Sequence, residues 1–248
     1  MVYHPIKYTA NASLFIQFLT AVVDLYVLFI QVPRKYLVLK QLLMLEFIVQ
    51  IIEGTFYVWL AFAFHSVQNV TQYRYYDWYI TTPTMLTTFS VYLIYLKNKE
   101  EFKNNKSNDF LNSHGELNND DDADNVKNED FFTILKNNSK TITYILVLNA
   151  IMLTFGLLNE RNILNKYVAV SLGFIPFVAL FYLIYENYAK YSEKGIVLFK
   201  YFSFIWALYG VAALMSYHWK NIFYNILDLF AKNFFGIYLA YVLYFSVD

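Results

Sequence analysis

Seven stretches of this 248-residue chain are apolar over a length that can cross a bilayer: roughly 11–32, 38–64, 74–96, 140–158, 164–188, 196–216 and 220–246. Within hydrocarbon a backbone must satisfy its own hydrogen bonds, which continuous helices do. The 58% of hydrophobic residues lie in these runs rather than in alternating patterns, which excludes a soluble domain. The expected fold is therefore an all-α, multi-pass integral membrane protein, a single seven-helix domain over 1–248 with the lipid bilayer as its surroundings.

Acidic and basic residues balance, 19 against 19, so no nucleic-acid partner is expected. Cysteine is absent, which excludes disulfides and thiolate metal sites, and no metal site is expected. The stretch Met1 to Ala12 is too short and polar for a cleaved signal peptide, so the first helix must direct insertion. Arg34, Lys35, Lys40, Lys97, Lys99, Lys190 and Lys194 fall on one side of the spans, and the sparser Lys7, Arg161 and Lys166 on the other. That bias places the N-terminus outside and the C-terminus in the cytoplasm. Between segments three and four the chain is polar and of low complexity, with Asn118-Asn119-Asp120-Asp121-Asp122 at its middle. A disordered cytoplasmic loop is expected over 98–138.

The charges inside the spans carry the functional information. In the last segment Asp228 and Lys232 stand four apart, one helical turn, on the same face. A lone charge at mid-bilayer costs roughly 2.5–3.5 kcal/mol, so a structural ion pair is one reading. The other is that the Lys232 amine carries a carbonyl cofactor as a Schiff base, with Asp228 as a counter-ion. In segment three Arg74, Asp77, Thr81, Thr84 and Thr88 advance by three or four and form a polar stripe. The threonines fit interhelical hydrogen bonding. Asp77 instead needs a buried cation, and Lys232 is the obvious candidate. In segment two Glu46, Gln50, Glu53 and Tyr57 share a face. Rows of carboxylates attract cations; a protonated, hydrogen-bonded Glu46 is the competing reading.

Arg-x-x-Asp-Trp-x-x-Thr-Thr-Pro from Arg74 to Pro83, with Asp-x-x-x-Lys from Asp228 to Lys232, resembles the microbial (type 1) rhodopsins over the whole chain except the polar loop. That resemblance implies a seven-transmembrane-helix bundle and all-trans retinal bound as a protonated Schiff base on Lys232. It implies Asp77 and Asp228 as counter-ions, with Arg74 just outward of them. Carboxylates beside a buried cation stabilise its charged form, and light would let Asp77 take the Schiff-base proton. By the same likeness the retinal pocket is formed by Trp78, Thr82, Met152, Gly156, Trp206 and Tyr209, with Tyr57 near the counter-ions. Gly210 and Ala213 depart from the family's proline and second tryptophan, so a looser ring end is expected.

The three positions that divide the family by transport are here Asp77, Thr81 and Thr88. A hydroxyl at Thr88 does not release protons near neutral pH as the carboxylic acid of outward proton pumps does. The glutamates of segment two are similar to those of channelrhodopsins, and among the family the chain most resembles the first group of virus-encoded rhodopsins, the viral channelrhodopsins. That likeness implies an ion path lined by Glu46 and Glu53, with Ser13, Glu46 and Asn233 as an inner constriction. It also implies a host cell membrane as the location if the chain is virus-encoded. The expectation is a light-gated channel for monovalent cations or protons, a photoreceptor rather than an enzyme. A light-driven outward proton pump is the alternative. A sensory rhodopsin with a separate transducer is the third reading, because the sequence ends at Asp248, directly after segment seven. Assembly into a homo-oligomer stays open.

Overall fold

The computed structural model describes residues 4–63, 69–112 and 130–247. The helices are α1 His4–Leu28, α2 Leu37–Ala63, α3 Val70–Asn112, α4 Phe131–Asn137, α5 Ser139–Glu160, α6 Lys166–Asn187, α7 Glu193–Ala213, α8 Tyr217–Asp228 and α9 Phe234–Val247. No strand occurs among the described residues. A π-helical segment, Leu229–Asn233, joins α8 to α9, so the last apolar stretch is one continuous span with a widened turn in its middle.

The spans close into a ring. α1 packs on α2, α8 and α9; α2 on α3 and α9; α3 on α5 and α7; α5 on α6; α6 on α7; and α7 on α8. Five spans are long and apolar enough by themselves to cross a membrane: Pro5–Leu28, Ser139–Glu160, Lys166–Tyr191, Glu193–Ala213 and Tyr217–Ser246. α2 and α3 complete the bundle and turn their polar stripes inward, where Glu46, Gln50, Glu53, Arg74, Asp77, Thr81 and Thr88 are all buried. Large apolar side chains such as Phe18, Phe62, Ile175, Phe204 and Phe245 face outward. An apolar exterior around a polar interior is the arrangement that lipid selects.

Local chemistry sets the helix ends. Asp130, Asn165 and Ser192 cap α4, α6 and α7 by accepting from the backbone N–H groups of Thr133, Tyr167 and Gly195. Asn162, at φ 59°, turns the chain between α5 and α6, a conformation asparagine tolerates. Pro83 lies inside α3 and leaves the Tyr79 carbonyl without its usual donor. Around it the hydroxyls of Thr81, Thr82 and Thr84 bond the carbonyls of Asp77, Trp78 and Ile80, and the helix runs on through the proline.

Two boundaries differ from expectation. α1 runs over His4–Leu28 rather than 11–32. α3 runs on to Asn112, so residues 98–112 of the expected loop are helical. Extending an existing helix needs no new nucleus, and Lys103 pairs with Glu100 at 3.8 Å one turn away. Residues 131–137 form α4, and the loop's centre, 113–129, lies outside the described residues.

Candidate functional site

The π-helical segment carries Lys232 into the centre of the bundle, where it is buried. Its Nζ donates to Asp77 Oδ2 at 2.9 Å, and lies 3.3 Å from Glu53 Oε1 and 3.7 Å from Asp228 Oδ1. Asp77 reaches it from α3, Glu53 from α2 and Asp228 from the preceding turn. Helical spacing aligned each acid with its own stripe; only the packing of α2, α3 and α8 brings the three onto one ammonium. Glu53, expected along an ion path, is thus also a direct partner of the lysine.

A second cation balances part of this charge. Arg74 Nη1 pairs with Asp228 Oδ2 at 3.1 Å and donates to the Tyr57 hydroxyl at 3.1 Å, while Nη2 donates to Asn225 Oδ1. Asp228 also accepts from Tyr57 at 2.7 Å and from Tyr209 at 2.8 Å. A buried carboxylate persists only when its lone pairs are met, and Asp228 has both oxygens bonded. Asn225 further donates to Thr9 Oγ1 at 2.8 Å and to the Ile6 carbonyl at 3.2 Å, tying α1 to Arg74.

On the other side of Lys232 lies a cavity that extends between α3, α5, α6 and α7. Its walls include Trp78, Thr82, Met152, Gly156, Trp206 and Tyr209, and Lys232 also lines it. Tyr57 is not among them; it belongs to the Arg74–Asp228 cluster instead. Trp78 meets Tyr209 and Tyr224 edge-on, with ring centroids 5.5 and 5.0 Å apart. Asn149 donates to Thr82 at 2.8 Å and fixes the hydroxyl on that wall. A Cβ on Gly156 would fall within 2.7 Å of the Tyr75 ring, so only glycine lets Tyr75 line the cavity. Phe174 packs so closely on Gly210 that a Cβ there would sit 2.6 Å from its ring. The room expected from the missing proline is occupied by that phenyl group. The arrangement suits a flat apolar molecule with a carbonyl at one end.

Tyr75 and Tyr224 line the cavity and were not anticipated. Tyr224 lies one turn before Asp228 and Tyr75 three residues before Trp78, so the helical spacing that located their neighbours could have located them.

Away from Arg74, the polar side chains continue between α1, α2, α3 and α9. Gln50 donates to Asp24 at 2.6 Å, Thr20 to Asn233 at 3.0 Å, and Thr88 to Glu46. The structure does not bring Ser13 to Glu46 and Asn233. Ser13 donates to the Asn225 carbonyl at 3.2 Å and accepts from Gln17. Asn225 and Asn233 are eight residues apart, roughly 12 Å of helix, so Ser13 stands at the Arg74 level. The helix-one residue at the Asn233 level is Thr20, which donates to it, so the place that the resemblance implied for Ser13 is taken two turns further along α1.

Residues 9–244 match the family described as bacteriorhodopsin-like protein. Among solved structures, the viral rhodopsin OLPVRII aligns at 22% identity over 98% of this chain and 99% of its own, with a TM-score of 0.73. The blue light-absorbing proteorhodopsin from Med12 aligns at 16% identity over 97% and 98%, with a TM-score of 0.68. Xanthorhodopsin, a light-driven ion pump with dual chromophore, aligns at 15% identity over 99% and 94%, with a TM-score of 0.66. No curated protein matches the chain by sequence. At these identities the structural likenesses speak to the fold.

Proposed function

The chain belongs to the bacteriorhodopsin-like family, and from that premise we propose that it is a retinal-binding photoreceptor acting as a light-gated cation channel. The cavity fits the cofactor: a single lysine, Lys232, lines a slot walled by Trp78, Trp206 and Tyr209. Bound there as a Schiff base on Lys232, all-trans retinal would supply a light-driven isomerisation. The chain's own residues do the rest. Trp78, Trp206 and Tyr209 would hold the polyene, and Gly156 gives Tyr75 room in the same cavity. Asp77 Oδ2, the nearest acceptor at 2.9 Å, takes the proton from Lys232 Nζ. Arg74, Tyr57 and Tyr209 bond both oxygens of Asp228, which leaves Asp77, closer to the nitrogen than Glu53, as the assigned acceptor.

The observation that carries the channel reading is the asymmetry of the bundle beyond Lys232. Between α3, α7 and α9 the seam is dry: Phe89 stacks on Phe202 at 4.2 Å and both meet Phe235 edge-on. Between α1, α2, α3 and α9 it is polar, and Gln17, Asp24, Glu46, Gln50 and Asn233 each keep a buried polar atom without a partner. Unpaired buried polar atoms call for water, and a wetted row of carboxylates passes cations. The orientation proposed has the N-terminus outside, so this row leads from the lysine to the cytoplasm.

One observation favours a second reading, the outward proton pump. Thr88 is no proton donor, yet it holds the carboxyl of Glu46 at the place where a pump would need one. Photocurrent under voltage clamp in retinal-supplied cells separates the two. A current that reverses with potential, at a value that follows the cation gradient, supports the channel. A current outward at every potential replaces it with the pump.

A further inference from the structure

We propose that Asp24, Glu46 and Gln50 form a binding site for one partly dehydrated monovalent cation, held in the dark between α1, α2 and α9. The inference rests on reading this side of the bundle as the ion path, and it assigns Asp24 a role. Asp24 is fully buried, and its Oδ2 accepts from Gln50 Nε2 at 2.6 Å while Oδ1 has no partner. Glu46 is equally buried, lies within electrostatic reach of Asp24, and holds Thr88 through Oε1 while Oε2 is unpaired. Gln50, 3% exposed, spends its amide N–H on Asp24 and leaves its carbonyl Oε1 without a donor. All three unmet atoms are oxygens that accept.

Charge count points the same way. Among the described residues, Asp24, Glu46, Glu53, Asp77 and Asp228 are buried in this interior against the cations Arg74 and Lys232. Those two cations are engaged by Asp77, Glu53 and Asp228, and no ion pair is formed by Asp24 or Glu46 among the described residues. Buried charge persists only when compensated. With both carboxyls ionised, as the proposal takes them, water would offer hydrogens to the oxygens and leave the charge unmet, whereas a cation meets both needs. Two carboxylates and one amide oxygen fall short of the six to eight oxygens that calcium takes, and magnesium parts with its water reluctantly. A singly charged ion that keeps some of its water fits the set.

Gly236 makes room for the site. A Cβ there would sit 2.6 Å from Asp24 Oδ2 and 2.7 Å from Gln50 Nε2, so any side chain would push the pair apart. Glycine in the middle of an apolar helix is otherwise a cost to helix stability.

The test is dark-state sodium-23 NMR on the retinal-bound protein in neutral-lipid nanodiscs, with sodium exchanged for N-methylglucamine at constant ionic strength. The expected result is a saturable broadening of the sodium line, reversed by potassium. Asp24→Asn keeps the shape of the site and should abolish the broadening, as should Glu46→Gln; the visible band of each variant reports that it is folded. A line width that does not depend on the protein, or that survives both substitutions, overturns the site. Photocurrents from the same variants keep the two readings apart. A reversing current without sodium binding removes the site and leaves the channel, whereas sodium binding in a protein whose current never reverses retains the site and removes the channel.

Discussion

The hydroxyl of Thr88 on α3 donates to Glu46 Oε1 on α2, joining the helix that carries Asp77 to the row of acids on its neighbour. Glu46 is fully buried and its other oxygen has no partner, so Thr88 is its one bonded contact among the described residues. The pair closes the polar column at the end remote from Arg74.

Thr88→Val keeps the shape and removes the donor. Leaving a buried acceptor unmet costs about 1–3 kcal/mol, so the thermal midpoint for loss of the visible band should fall. The current should also change its decay after a flash. An unaltered decay would show that Glu46 works without Thr88.

Lys232→Ala should abolish pigment formation, since no other lysine lines the cavity. Added retinal should then give only the spectrum of the free aldehyde. A visible pigment band in that variant would remove the covalent assignment whatever the transport mode.

Asp77→Asn should retain a pigment, because Glu53 and Asp228 still face Lys232 at 3.3 and 3.7 Å. It should lose the light-induced infrared band of a newly protonated carboxylic acid. Persistence of that band would transfer the acceptor role to Glu53, the next acid in distance.

Arg74→Gln should destabilise the protein strongly. Breaking a buried ion pair by removing one partner costs about 3–5 kcal/mol, and Arg74 and Asp228 are each 1% exposed. Denaturant or thermal unfolding in detergent measures this. The double variant Arg74→Gln/Asp228→Asn should recover part of the loss, because Asp228 is then not left charged without its partner.

Gly156→Ala places a methyl group on the Tyr75 ring. Tyr75 must then move and take with it the edge contact to Trp78, whose ring centroid is 5.0 Å away. Slower retinal uptake and a shifted absorption maximum are expected, and Tyr75→Phe should not reproduce them, because the ring stays in place.

Much of the site was legible along single helices. Asp228 and Lys232, Arg74 and Asp77, and Glu46, Gln50 and Glu53 each repeat at helical spacing, and that spacing alone gives a shared face. What spacing cannot give is the relative height of two helices. Ser13 illustrates the limit: the family resemblance implied the level of Glu46 and Asn233, but the bond to Asn225 puts it at another. Glu53 shows the converse, since its closeness to Lys232 depends on how α2 rests against the π-helical turn. Residues 98–112 departed from expectation because local polarity reads as loop, whereas a helix already formed in the membrane extends at little cost.

From the sequence by itself came the membrane class, the helical spans, the lysine and its acids, and the family, because each is written in composition or in short-range period. Only the tertiary structure decided that three carboxylates share one ammonium, that Phe174 occupies the space at Gly210, and that Asp24 meets Gln50 beside Gly236. Those are contacts between helices distant along the chain. They depend on the rotation and height at which the helices pack, and side-chain shape sets both across the whole bundle at once.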